Sequence, residues 1–464
     1  MKPRAVLALD IGAGSGRGIL GYRASDGGLE RVEEVHRFEN GFVRLNGGLY
    51  WDYVRIYRGA LDCLRACRAR GVELDSIGVD AWSQDYAYIG AGGEVLGLPR
   101  CYRDPVNEAH ARDFERDFRL GPLDHARSSG AGFISISTLR QLWYDRTHRK
   151  DLFKAARRYL YMPYLLVYLL TGVAGYDDSL PAIGEQCDAR TLCYSDETAR
   201  VLGVLDKTPP RLQWGTLVGR TNDAVLQETG YDAVPMACVD GHDTASAVSA
   251  IPDDGSFLWV SSGSYNMVGA VLEQPALNDE LLSLGFVNTR LGDGRVCLMG
   301  GGAGMHFIQQ CMRRWREEGR EITYPQLTGY ALAHRTARRF DFADVPGAAA
   351  DMPAALNAAI ERAGHAPAHS PHALYEAFAN SLAQLTAEGL TRLEGLLNRK
   401  FPRVYVVSGG AQANAVNQRL AEALARPLLA GLPEAATMGN IRAQLTALGA
   451  GLAKTSIEMR RFGL

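Results

Sequence analysis

The sequence lacks a surplus of charge of either sign. Fifty Lys and Arg residues stand against 52 Asp and Glu in 464 residues, for a formal net charge of −2. Without a basic excess there is little to neutralise a phosphate backbone, which argues against a nucleic-acid partner. Long apolar runs are also lacking. The densest, Tyr159 to Leu170, is interrupted by Pro163, and a bilayer needs roughly 20 apolar residues. It reads instead as part of a buried helix over Leu152 to Leu170, with no membrane partner. The opening MKPRAVLALDIG has too short an apolar run for a secretory leader and reads as a strand. Cysteine is sparse, at 8 residues, with no CxxC pair and no HExxH. That excludes a disulfide scaffold and the common zinc motifs, and places the expected protein in the cytoplasm. Apolar residues make up 47%, which excludes intrinsic disorder.

The familiar nucleotide signatures are missing too. There is no GxxxxGK[ST] loop. Gly12, Gly14 and Gly16 approach GxGxxG, but position 17 is Arg and a strand-like run follows, so a dinucleotide fold does not fit. The HRD and DFG elements of protein kinases are absent.

What is present is glycine, 51 residues, gathered after strand-like runs. ALDIGAGSGRGILGY and LWVSSGSYNMVGAV each read as strand, small-residue turn, strand, a hairpin whose turn offers backbone N–H groups. About half the chain separates them, which suits two halves on one plan, or two unrelated hairpins. VYVVSGGAQANAVNQ reads as a strand, a Gly pair and a helix. Between these marks the pattern is mixed α/β. Helices are expected over Tyr53 to Arg70, Leu139 to Tyr144 and Ala373 to Leu397, and a short strand over Ser76 to Val79 ending at Asp80. The Ala-, Pro- and His-rich stretch from Gly347 to Pro371 reads as a surface excursion.

Three clusters carry candidate chemistry. Asp10 ends a strand before the small turn, and Arg17 follows it. A carboxylate there can hold Mg²⁺, and an Arg fork can neutralise phosphate; the same residues also suit an ordinary hairpin with a surface Arg. In VDGHDTASAV, Asp240, His242 and Asp243 crowd a helix start. A carboxylate so placed can orient a hydroxyl and take its proton, while Asp243 and Thr244 also suit a helix start as dipole acid and cap. The third, SGGAQANAVNQ, offers a donor-rich wall with Gln412 and Asn414, or a plain strand-to-helix turn.

Together with HRFENGFV, WDYVRIY, SIGVDAWSQDY, YRDPVN and GLPEAATMGN, these strings resemble, in order and over nearly the whole chain, the FGGY carbohydrate kinases of the actin-like ATPase superfamily. Within that family the likeness is greatest to the rhamnulokinases. The resemblance implies two actin-like, ribonuclease H-like α/β domains facing across a cleft, residues 1–236 on the sugar and phosphate side and 237–464 on the nucleotide side. It implies ATP-dependent phosphorylation of a ketose, with Mg²⁺: L-rhamnulose at its 1-OH, or another ketose or polyol such as L-fuculose, L-ribulose or D-xylulose, the more distant alternative being a non-catalytic sugar sensor on the same fold. Asp10 would sit near the metal, and Ala13, Gly14, Ser15, Gly16 and Arg17 would line ATP. Ser264, Gln309 and Gly409 match nucleotide positions. Asp243 matches the general base, with His242 and Thr244 touching the sugar. Ser83, Gln84, Asp85, Arg103 and Asp104 fall where the family reads its sugar. The expected partners are a small sugar and ATP, and the expected state is a monomer or homodimer.

Three departures fall on the sugar side. Ser83 stands where rhamnulokinases have Gly, Gln84 where they have an apolar residue, and Gly301 where the family has Asn. The stretch Gly175 to Gln186 also departs from the usual Thr/Ser-rich pattern.

Overall fold

A computed structural model of the chain describes residues 3–450 and 459–463. Its contacts divide it into two units. One comprises Met1–Pro252, Leu272–Leu298 and Ala435–Ser456; the other comprises Asp253–Val271, Met299–Glu434 and Ile457–Leu464.

The first unit is built on Arg4–Ile11, a strand buried at every position from Ala5 onward. An unbroken apolar run suits a strand covered on both faces. It pairs antiparallel with Ser15–Arg23 and parallel with Glu73–Ala81. The full order across the sheet is Leu29–Glu39, Ser15–Arg23, Arg4–Ile11, Glu73–Ala81, Pro235–Ala237 and Leu217–Arg220. Helix Tyr53–Ala69 is capped by Asp52, whose side chain accepts from Arg55 N, and has Arg68 in its last turn, as the helix dipole favours. It buries Ile56, Ala60, Cys63, Leu64 and Cys67 along one stripe. Burial pushes the Cys63 and Cys67 thiols up, so both act as small apolar residues. All eight cysteines are free.

The second unit repeats the plan. Phe257–Ser262 and Asn266–Leu272 form an antiparallel hairpin, and the first of them runs parallel to Val404–Val407. Leu428–Gly431 continues the parallel run, and Met459–Phe462 joins it antiparallel. Both units thus carry the mixed sheet expected of actin-like domains.

Two sequence expectations need correction. Leu152 to Leu170 is not one helix. Lys150–Ala155 is a short helix, Arg158–Tyr161 is a strand paired with Tyr86–Ile89, and Met162–Thr171 is a second helix with Pro163 in its first turn. Proline is tolerated there because its missing N–H would have no helical partner. The apolar residues of RRYLYMP serve a strand because a partner strand reaches them, which composition cannot show. The stretch Gly347 to Pro371 contains a helix, Met352–Arg362, that buries Met352, Leu356, Ala359 and Ile360. These positions lie at helical spacing, obscured by the surrounding Ala and Pro.

No described helix is long and apolar enough to cross a membrane.

Helix Ala435–Ala447 belongs to the first unit and lies against helix Asp243–Ser249. The approach is so close that a Cβ on Gly439 would stand 1.9 Å from the Ser246 carbonyl oxygen. Ser246 Oγ also donates to the Ala436 carbonyl at 2.7 Å. Gly439→Ala must therefore push the two helices apart. Its expected cost is about 1–3 kcal/mol, the usual range for overpacking, read as a lower midpoint in urea unfolding. An unchanged midpoint would show that the contact yields freely.

Candidate active site

Strand register brings the first site residues together. In the parallel pair Asp10 lies opposite Asp80, and in the antiparallel pair Asp10 lies opposite Arg17. Arg17 donates to Asp10 Oδ2 from Nη2 at 2.7 Å and from Nε at 3.1 Å. Thr437 Oγ1 donates to the same oxygen at 3.2 Å. Asp80 is fully buried. Its Oδ2 accepts from Asn440 Nδ2 at 2.7 Å. Asn440 Oδ1 in turn accepts from Gln444 Nε2 at 2.7 Å, and Gln444 Oε1 accepts from Ser76 Oγ at 2.7 Å. This chain leaves Asp80 Oδ1 buried without a partner. Burial, and then the charge of Asp10, raise the Asp80 carboxyl well above the ordinary range.

The small turn after Asp10 is held by its own backbone. Gly12 N donates to Ser15 O at 2.9 Å, and Asn40 ties down the Gly12 and Gly14 carbonyls. Gly16 admits the Phe38 ring, 2.2 Å from where a Cβ would stand, whereas Gly14 faces open space. Ala13 to Arg17 therefore form a tight turn with room above Gly14.

The other carboxylate arrives through a turn beside the same sheet. Ala81 forms a parallel bridge with His242, and Ala81 N donates to Gly241 O at 2.9 Å. His242 is the N-cap residue of helix Asp243–Ser249, so Asp243 opens the helix. Asp243 is half-buried. Loss of solvent, and then the charge of Asp10, push its carboxyl up to about 6. Thr244 Oγ1 donates to Asp243 Oδ1 at 3.2 Å. Burial lowers the His242 imidazole to about 3, so it is neutral at pH 7. Its Nδ1 is buried with no partner.

The loop after Asp80 supplies the remaining polar groups. Ser83 is buried and its hydroxyl has no partner. The Gln84 carbonyl accepts from Thr138 Oγ1 at 2.8 Å and Gln141 Nε2 at 3.4 Å. Asp85 is a structural hub. Its Oδ2 accepts from the indoles of Trp51 at 2.5 Å and Trp82 at 3.0 Å and from Tyr102 N at 3.0 Å, while Oδ1 accepts from Gln141 at 2.9 Å. Asp104 caps helix Pro105–Ala109 and accepts from Val106 N, Leu49 N and Arg100. The oxygens of Asp85 and Asp104 thus hold protein donors, and Arg103 is exposed beside Tyr102. Ser83 and His242 are the members of this set that leave buried polar atoms open.

In the second unit, Ser264, Gln309 and Gly409 line one cavity of about 250 Å³, with Ser262, Gly410 and Gln412. Ser264 Oγ donates to Gln309 Oε1 at 3.2 Å. Gly410 permits the wall, since a Cβ there would stand 2.2 Å from Ser262 Oγ. Tyr324, Thr328 and Tyr375 join the lining from helices Tyr324–Ala333 and Pro371–Leu396. Sequence reasoning missed these three, because a Tyr or Thr on a helix reads as ordinary packing. Gly301, at the family's Asn position, is exposed on strand Val296–Gly302.

The description "FGGY family of carbohydrate kinases, C-terminal domain" matches residues 258–448. A rhamnulokinase of Bacteroides thetaiotaomicron is 30% identical over 446 residues, 95% of this chain and 90% of the relative. The chain belongs to the FGGY family of carbohydrate kinases. A rhamnulokinase of Oceanobacillus iheyensis is 27% identical over 448 residues, 95% of this chain and 93% of the relative. Among solved structures, the ligand-bound xylulose kinase from Lactobacillus acidophilus superposes with a TM-score of 0.79 at 13% identity, covering 99% of this chain and 94% of its own. That likeness establishes the shared fold.

FGGY carbohydrate kinases use ATP. A divalent cation suits the residues of the first unit, because Asp10 and Asp80 offer hard carboxylate oxygens and Asp80 Oδ1 is a buried acceptor without a partner.

Without a cation, Asp80 is expected to oppose folding at neutral pH. Its carboxyl is raised in the folded state, so the unfolded chain ionises it more readily and stability falls as pH rises above the ordinary carboxylate range of about 4. Asp80→Asn is expected to raise the metal-free thermal midpoint at pH 7, with the gain disappearing below about pH 4, where both states are protonated. A lower midpoint at pH 7 would mean that the ionised carboxylate contributes net stability.

Proposed function

We propose that the chain transfers the γ-phosphoryl group of ATP to a ketose, L-rhamnulose, at its 1-OH. The observation that carries the reading is the setting of Asp243. It is a carboxylate at the head of a helix, in the field of Asp10 and next to His242, and Ala81 ties its turn to the loop of Ser83. Unfilled buried polar atoms on Ser83 and His242 are what a polyhydroxylated ligand would satisfy, since an unpaired buried polar group costs about 1–3 kcal/mol. The rhamnulokinase relatives support the choice of sugar.

In this reading residues 1–236, joined by His242, Asp243 and Thr244, take the sugar and phosphates, and the remainder of residues 237–464 takes the nucleotide. Asp243 orients the acceptor hydroxyl and takes its proton. The freed oxygen bonds to the γ-phosphorus as the bond to the ADP oxygen breaks. His242 stays neutral and hydrogen-bonds the sugar through Nδ1, and Thr244 steadies the Asp243 carboxylate. The turn Ala13 to Arg17 faces phosphate oxygens, with Arg17 neutralising charge and holding Asp10. Asp10 and Asp80 would hold a Mg²⁺ ion, which would supply neutralisation of phosphate charge. Ser264, Gln309 and Gly409 hold the nucleotide in the second-unit cavity. Asp85 and Asp104 act on the sugar indirectly, by fixing the loops that carry Ser83, Gln84 and Arg103.

Asp243→Asn is expected to lower kcat by about 100-fold or more, the scale of general base catalysis, with sugar binding measured without ATP preserved. Because Asp243 must be ionised to act and its carboxyl lies at about 6, the wild-type rate should fall as pH drops through about 6. Turnover within a few-fold of wild type in the variant would end the assignment.

A second acceptor remains on one observation, the buried open hydroxyl of Ser83 where rhamnulokinases have Gly. An ADP-release assay over L-rhamnulose, L-fuculose, L-ribulose and D-xylulose, run on wild type and Ser83→Gly, separates the readings. For an L-rhamnulose kinase, L-rhamnulose gives the highest kcat/KM. Loss of one hydrogen bond in Ser83→Gly lowers it by about tenfold, or 1.4 kcal/mol. If another sugar leads the panel, the specific acceptor is wrong and the kinase class stands.

A further inference from the structure

Asp243 reaches its position through a turn of two residues, Gly241 and His242, and both backbone N–H groups of that turn are accounted for. Gly241 N donates to Asp177 Oδ2 at 3.0 Å, and His242 N donates to Ser179 Oγ at 3.1 Å. Asp177 and Ser179 are themselves joined, since Ser179 N donates to Asp177 Oδ1 at 2.8 Å. Both side chains are buried, at 2% and 0% exposure. On the opposite side of the turn the Gly241 carbonyl is held by Ala81 N. Gly241 is small for the same reason, because a Cβ there would stand 2.6 Å from Asp177 Oδ2. Thr289 Oγ1 donates to the Ser179 carbonyl at 3.1 Å and anchors the segment from behind.

Asp177 and Ser179 lie in the irregular stretch that departs from the family pattern, and neither figures among the sugar, nucleotide or metal residues above. The pair does more than fill space. It grips two consecutive donors just before the residue assigned as base, so the direction of the first helical turn depends on it. We propose that Asp177 and Ser179 are positioning residues for phosphoryl transfer, holding the Gly241–His242 turn so that the Asp243 carboxylate points at the acceptor hydroxyl. The inference rests on the reading of Asp243 as the base. A base must lie within hydrogen-bond reach of its proton, and a misplacement of about 1 Å can cost about 100-fold in rate. Loss of the Ser179 hydroxyl leaves the His242 N–H buried and unpaired and frees the turn to rotate.

The experiment is a double-mutant cycle on the full chain with Ser179→Ala and Asp243→Asn. Ser179→Ala alone is expected to lower kcat by about 10- to 100-fold, with KM for ATP and the sugar dissociation constant within about threefold of wild type. In the Asp243→Asn background it should lower kcat by less than about twofold, because its effect runs through the carboxylate already removed. The same fold-loss in both backgrounds, or an unchanged kcat, overturns the positioning role. A loss confined to sugar affinity also overturns it and makes Ser179 part of the sugar site. If Asp243→Asn alone turns over at the wild-type rate, it is the base assignment that fails. Should Ser179→Ala not fold, Asp177→Asn, which keeps one acceptor oxygen, takes its place in the same cycle with the same expectations.

Discussion

Asp10 and Asp80 sit directly opposite one another on neighbouring parallel strands, and much of the first unit is arranged around that like-charge pair. Two carboxylates in register at the end of a buried sheet repel, and one of them is fully out of solvent. Arg17 supplies a cation to Asp10 from the antiparallel neighbour. Asp80 receives a neutral donor, the Asn440 amide, whose orientation is set in turn by Gln444 and Ser76. The asymmetry leaves one carboxylate balanced and the other poor in counter-charge, with an open oxygen. Such a pair suits a divalent cation.

Offsetting that repulsion constrains the course of the chain. Thr437 and Asn440 come from helix Ala435–Ala447, which follows the body of the second unit in sequence and yet packs in the first. To place both side chains the helix must lie nearly on the backbone of Asp243–Ser249, and Gly439 is the residue that permits it. The same packing therefore supports the helix that presents Asp243. The carboxylate pair and Asp243 are held as one assembly.

The two units differ in the side chains they gather. The first concentrates carboxylates, a neutral imidazole and hydroxyls. The second-unit cavity has no charged side chain in its lining; hydroxyls, an amide pair and glycines surround it, with two tyrosines. That contrast is built on a hairpin plan that the two units share. Each sheet presents a small-residue turn beside its first strand, and the residues added around the turn differ.

Much of this was legible in the chain itself. Apolar strands, the two hairpin turns and the helix beginning at Asp243 are written in adjacent residues, through periodicity, small side chains and helix-start chemistry. The candidate residues Asp10, Arg17, His242 and Asp243 stand at these landmarks, where the family resemblance singles them out. Tertiary structure decided the rest. The hydrogen bond from Thr437 to Asp10 spans 427 positions and that from Asn440 to Asp80 spans 360, and no local pattern records either. The strand at Arg158–Tyr161 exists because Tyr86–Ile89 pairs with it, and Asp85 is a hub because two indoles converge on it. Tyr324, Thr328 and Tyr375 share one cavity because two helices meet there. Local structure depends on forces between neighbours in sequence. Partner choice depends on strand register and close packing, which exist only once the chain has folded back on itself.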